Sequence, residues 1–103
     1  MFPVYLKSIK KLCEYGFKIT EENIETILLI NEDSFEKMKE AVLKEVTEKI
    51  WEDLNEEYKE IIKYIDIEKF IQNRKEKYNI IIGSKAYKEI IDLLKNKREE
   101  FYD

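Results

Sequence analysis

From Ser34 to Leu54 the chain reads SFEKMKEAVLKEVTEKIWEDL, with no glycine or proline, and Phe35, Met38, Val42, Val46, Ile50 and Leu54 recur every three or four residues. Helical backbone returns to the same side at that interval, so the spacing predicts one apolar stripe along a helix of about six turns. Such a helix cannot hide its stripe alone, and the rest of the chain has to cover it. With 103 residues, 44% apolar and 41% charged, there is enough apolar side chain for one modest core and too much charge for a membrane-embedded protein. The expectation is a single helical domain over residues 1–103, mainly α, a compact bundle of about five helices.

The flanking segments supply the cover. Residues 3–15 place Tyr5, Leu6, Ile9, Leu12 and Cys13 on one side of a first helix, and Gly16 stands where a C-terminal cap would sit. Thr20 is placed to cap a short second helix, with Glu21 and Glu22 in its first turn and Ile24, Ile27, Leu28, then Leu29 and Ile30, on its buried side. Asp33, three residues before Glu36, has the capping-box pattern and starts the long helix. Asp53 and Asn55 offer new caps, so a break is expected near Asn55, although the apolar spacing continues through Tyr58, Ile61, Ile62 and Ile65.

Asp66 then caps a segment with Ile67, Phe70 and Ile71 inward, running to about Tyr78, and Ser84 caps a last helix with Tyr87, Ile90, Ile91, Leu94 and Phe101 on one face. The β-branched run from Asn79 to Ile82 is the best strand candidate, and Phe17-Lys18-Ile19 is its one plausible partner. At most one small two-stranded β element, 17–19 with 79–82, is expected.

Charge is unevenly laid out. The formal net charge is −4, yet residues 20–68 hold 16 acidic and 6 basic side chains, whereas residues 69–98 hold 9 basic and 3 acidic. On the long helix Glu36, Glu40, Glu48 and Glu52 step by fours or eights, and Glu56 and Glu60 extend the row if the helix continues. A carboxylate row can occupy a surface made for a phosphate backbone; it can equally be a solvated helix face closed by i, i+4 pairs such as Glu40 with Lys44 and Glu45 with Lys49. Trp51 neighbours the stripe as core edge or as an interface anchor. In the basic block Arg74, Lys75, Lys77, Lys85 and Lys88, near Tyr78 and Tyr87, are candidates for holding a nucleic-acid backbone.

Catalytic chemistry finds little to work with. The chain has no histidine, so Ser-His and Cys-His dyads are impossible, and none of Ser8, Ser34 or Ser84 lies in a nucleophile-elbow sequence. Cys13, the one cysteine, shares the apolar side of the first helix and reads as a packed thiol. Gly83-Ser84-Lys85 follows a strand-like run but lacks the spacing of a phosphate loop. Adjacent carboxylates such as Glu56-Glu57 point to different sides of a helix and do not converge on a metal. No catalytic residue, cofactor or metal site is expected. No apolar run approaches the roughly 18 residues of a membrane span, and the start of the chain lacks a signal-peptide layout, so a cytoplasmic protein is expected.

One short segment has a familiar form. Tyr64-Ile65-Asp66-Ile67-Glu68, with Phe70 two residues on, resembles the YID-x-E segment of ArdA-type antirestriction proteins, although Gln72-Asn73 stands where that family usually carries Arg-Asp. The resemblance implies a small mobile-element protein that disables a host defence complex by binding it. The leading expectation is accordingly a non-enzymatic protein-binding module, a phage or mobile-element inhibitor of antirestriction or anti-CRISPR type. It would grip a host protein or nucleoprotein complex through Glu40, Glu48, Glu52, Glu56, Glu60 and Trp51. A small nucleic-acid-binding regulator using the 69–98 block comes second, and a structural or assembly subunit, including a homodimer, third.

Overall fold

The computed structural model describes residues 2–102, with side chains from residue 6 onward. Six α-helices follow in order: α1 Phe2–Tyr15, α2 Glu21–Leu29, α3 Phe35–Tyr58, α4 Ile67–Gln72, α5 Lys75–Tyr78 and α6 Lys85–Tyr102, with a 3₁₀ segment, Lys59–Tyr64, after α3. The described chain measures 45 × 22 × 19 Å, its length set by α3, against which α1, α2, α6 and the 3₁₀ segment all pack.

The stripe on α3 is the core. Met38, Val42, Val46, Ile50 and Leu54 are buried, while Phe35 is half-buried and meets the Tyr15 ring edge-on. Leu43 and Thr47 are buried as well, which the stripe did not predict. The buried arc is wider because α6 covers a second flank of α3, bringing in Ala86, Tyr87, Ile90, Ile91 and Leu94.

Local signals place most helix starts. Thr20 Oγ1 accepts from the Asn23 amide at 3.2 Å while Asn23 Oδ1 accepts from the Thr20 amide at 3.1 Å, a reciprocal cap. Asp66 accepts from the Lys69 amide at 3.1 Å and Ser84 from the Tyr87 amide at 3.2 Å. At α3 the cap is Ser34, which accepts from the Lys37 amide, and not Asp33, whose carboxylate instead takes the Ser8 hydroxyl of α1. A tertiary donor has drawn Asp33 away from its local one.

The break after α3 falls at Lys59, four residues beyond the expected one at Asn55. Asn55 does not open a new helix, because its amide donates to Trp51 O at 2.7 Å and its Oδ1 accepts from the Tyr102 hydroxyl at 2.8 Å. Lys59 adopts φ 43°, ψ −117°, a left-handed conformation that a side chain makes costly, and the chain turns there into the 3₁₀ segment. Arg98 of α6 holds the far end of that segment by donating to Ile65 O at 2.7 Å and Ile62 O at 3.3 Å. The expected helix from Asp66 to Tyr78 is likewise two, parted at Asn73 and Arg74, where the Arg74 guanidinium lies 3.9 Å from the centre of the Phe70 ring.

The β element shrinks to one antiparallel bridge, Phe17 with Ile80, flanked by Lys18 N–H to Asn79 O and Ile81 N–H to Gly16 O, both 2.8 Å. Gly16 has φ 126°, and a Cβ there would overlap the Ser84 side chain, so the bridge closes only on glycine.

Several apolar residues face outward against expectation. On α1 the buried ridge is Ser8 and Leu12; Leu6 and Cys13 are exposed, and the Tyr5 side chain lies outside the described residues. Leu28 and Leu29 on α2 are exposed, and Asn23 takes the buried place beside Ile27. On α6 Phe101 is exposed, because Tyr102 occupies the inner position and bonds Asn55.

Candidate binding surface

Helix α3 carries carboxylates on several sides, and only some of them have partners. Toward α4 and α5, Asp53 accepts from the Tyr78 hydroxyl at 2.6 Å and pairs with Lys77 at 2.9 Å, and Glu57 pairs with Arg74 at 2.9 Å; near the start of the helix Glu36 pairs with Lys39 at 3.1 Å. Burial works to raise the Asp53 carboxyl, but donation from Tyr78 and Lys77 outweighs it and holds the carboxyl below its ordinary value. The Tyr78 hydroxyl is pushed well above the usual tyrosine range, first by burial and then by the Asp53 carboxylate it faces. Further along, Glu45 is occupied by the Asn23 amide at 2.6 Å and by the Thr26 hydroxyl. These groups hold the fold together.

Glu40, Glu48, Glu52 and Glu56 are exposed, and no ion pair engages them among the described residues. Neither expected i, i+4 pair, Glu40 with Lys44 or Glu45 with Lys49, is closed. The row is also not straight. Each step of four residues overshoots a helical turn by about 40°, so the side chains wind around α3 as they advance.

Glu40 and Glu48 therefore line a groove of about 600 Å³ between α3 and α6. Glu48 and Glu52 line a second of about 680 Å³ with Glu22 and Thr26 of α2. Glu56 borders the small concavity of Asp53, Glu57 and Lys77, and Glu60 lies past the break, on the 3₁₀ segment. The five glutamates read as one face belong to successive surfaces.

Trp51 stands beside the α3/α6 groove, half-buried, with the Phe101 ring centre at 5.9 Å, the Tyr102 ring centre at 6.2 Å and Lys97 Nζ 5.9 Å above the indole. The α6 side of the groove was not foreseen from sequence: Glu89, Leu93, Asn96 and Glu100 line it. Their spacing of four, three and four marks one helix ridge beside the stripe of Ile90 and Leu94. Glu89 accepts from the Tyr15 hydroxyl, and that bond, with burial, raises the Tyr15 hydroxyl above its ordinary value.

Of the five candidate cations, Arg74 and Lys77 are taken by α3, while Lys75, Lys85 and Lys88 are exposed and unpaired among the described residues. The YID-x-E segment is built into the fold at most of its positions: Asp66 is a cap, Ile67 and Phe70 are buried, and Glu68 pairs with Lys95 at 3.2 Å, leaving Tyr64 78% exposed. Among the described residues no group of three or more acidic or cysteine side chains is placed to hold a metal, and no helix is long and apolar enough to cross a membrane. Comparison with family models, curated proteins and solved structures returned no match.

Proposed function

We propose that this chain is a non-enzymatic module that binds another protein through the unpaired carboxylates of α3. The observation that carries the reading is the contrast along one helix: Asp53, Glu57 and Glu45 are consumed by internal partners, and Glu40, Glu48 and Glu52 are left to solvent. Unpaired carboxylates on a rigid helix give their field to an approaching basic surface, which favours fast, salt-sensitive association. For the target we keep a nucleic-acid-handling host defence complex, whose phosphate-binding surface the glutamates would occupy; the support is this charge layout and the YID-x-E resemblance. The regulator reading is weakened by the loss of Arg74 and Lys77 to α3, since two of its five cations are committed elsewhere.

The test is affinity capture from the native host with the wild-type chain and with Glu40→Lys/Glu48→Lys/Glu52→Lys. The reversed variant should keep its helical circular dichroism and lose the retained partner, and capture by the wild type should fall steeply as salt rises. Equal retention by both chains removes the proposal. Anisotropy titration with DNA and RNA at low salt runs beside it, and binding that disappears in a Lys75→Glu/Lys85→Glu/Lys88→Glu variant would move the function to the basic block.

A further inference from the structure

We infer that the groove between α3 and α6 is a receptor for a basic amphipathic helix of about two to three turns, supplied by the partner. The inference rests on the protein-binding reading above and names where on the surface the partner sits and what it presents. Leu43, Thr47 and Leu93 lie along the groove, and Glu40, Glu48 and Glu100 stand among them. Leu93 is 41% exposed in the groove, and Phe101, beyond its end on α6, is 65% exposed against Trp51. Large apolar side chains left open in and beside a groove form the kind of surface that apolar anchors at i, i+3 and i+4 of a docking helix cover. Thr47 lines the groove with a buried hydroxyl that has no hydrogen-bond partner among the described residues.

Length and charge narrow the occupant. From Glu40 to Glu48 on α3, and from Glu89 to Glu100 on α6, the lined stretch is about 12 to 16 Å, the rise of two to three helical turns. Four carboxylates border the groove against Lys44 and Lys97, and with Glu89 held by Tyr15, three of them remain for a ligand. An anionic border repels a nucleic-acid backbone. A second copy of this chain would set the same glutamates against one another in a protein already at −4. A helix with leucine-like residues on one face and arginine or lysine beside them meets both the floor and the border.

The chain's one tryptophan, Trp51, reports directly on the groove. The probe is a synthetic peptide of about fourteen residues with leucines on one helical face and arginines elsewhere, titrated into the 103-residue chain in buffer of physiological salt. The expected result is a saturable shift of Trp51 emission, with affinity reduced by about tenfold or more in Leu93→Glu and in Glu40→Lys/Glu48→Lys, all at sites exposed enough to spare the fold. A peptide of the same composition in an order that scatters the leucines should bind far more weakly. Equal binding of the scattered peptide, or an unchanged affinity in Leu93→Glu, overturns the inference.

Partner capture separates it from the broader proposal. Loss of capture in Leu93→Glu but not in Glu52→Lys/Glu56→Lys supports the groove. Loss in the second variant alone removes the groove while leaving the protein-binding reading in place, and capture unaffected by either removes both.

Discussion

Two flanks of α3, one bearing Asp53 and Glu57 and the other bearing Glu40 and Glu48 toward α6, are built from the same residue types on the same helix, and they do different work. Asp53 and Glu57 face α4 and α5, where Arg74, Lys77 and the Tyr78 hydroxyl come within hydrogen-bonding distance. Glu40, Glu48 and Glu52 face grooves where no partner reaches them among the described residues. A glutamate's role on this helix is thus set by what packs opposite, and net charge by segment says little about it. The 69–98 block, so basic in sequence, spends its best-placed cations neutralising one side of the acidic block.

The comparison breaks first at Asp53. Asp53→Ala leaves the buried Tyr78 hydroxyl without its acceptor and Lys77 without its carboxylate, and should destabilise the chain by about 2 to 3 kcal/mol in urea unfolding. The double variant Asp53→Ala/Tyr78→Phe should cost less than the two single variants together, since each removes the same bond. Additive costs would show that the two residues act separately.

The same pair sets two pH limits. A carboxyl held below its ordinary value contributes stability that is fully present above that value and is lost as pH falls through its folded value, so the acid limb of a stability profile should flatten in Asp53→Asn. The Tyr78 hydroxyl, raised in the fold, contributes fully below the ordinary tyrosine value of about 10 and progressively less as pH climbs above it. Tyr78→Phe should remove the alkaline loss. An alkaline limb unchanged in that variant would assign the loss to other groups.

Between the flanks, Thr47→Val replaces an unpartnered buried hydroxyl with a methyl of nearly the same shape and should raise stability by about 1 kcal/mol, read as an upward shift in the urea midpoint. A decrease would mean that the hydroxyl has a partner in solution. On the unpaired flank Glu48→Gln should change stability by less than about 0.5 kcal/mol while weakening partner capture. A large loss of stability there would erase the distinction between the flanks.

Reading the residues alone found the helix starts at Thr20, Asp66 and Ser84, because a cap is a bond over three residues and needs nothing from elsewhere in the chain. It placed five of the six stripe residues of α3 in the core and paired the 17–19 and 79–82 segments, although only Phe17 and Ile80 meet. It failed where a distant group competes for a local one. Ser8 takes Asp33 from the cap, Tyr102 takes Asn55 from a helix start, and Arg98 holds the far end of the 3₁₀ segment that follows the turn at Lys59. Cys13 and Leu28 carry apolar periodicity that no neighbouring element covers.

The site shows the same division. That α3 is an amphipathic helix rich in glutamate follows from spacing, since helical periodicity is a property of consecutive residues. Which glutamates stay free does not follow, because it depends on α5 returning beside the end of α3 and on α6 lying along its other flank. Those approaches join residues distant in the chain, Asp53 with Tyr78 at 25 positions and Asn55 with Tyr102 at 47. They are the outcome of filling one core from every segment at once, a condition that no local stretch of the chain carries.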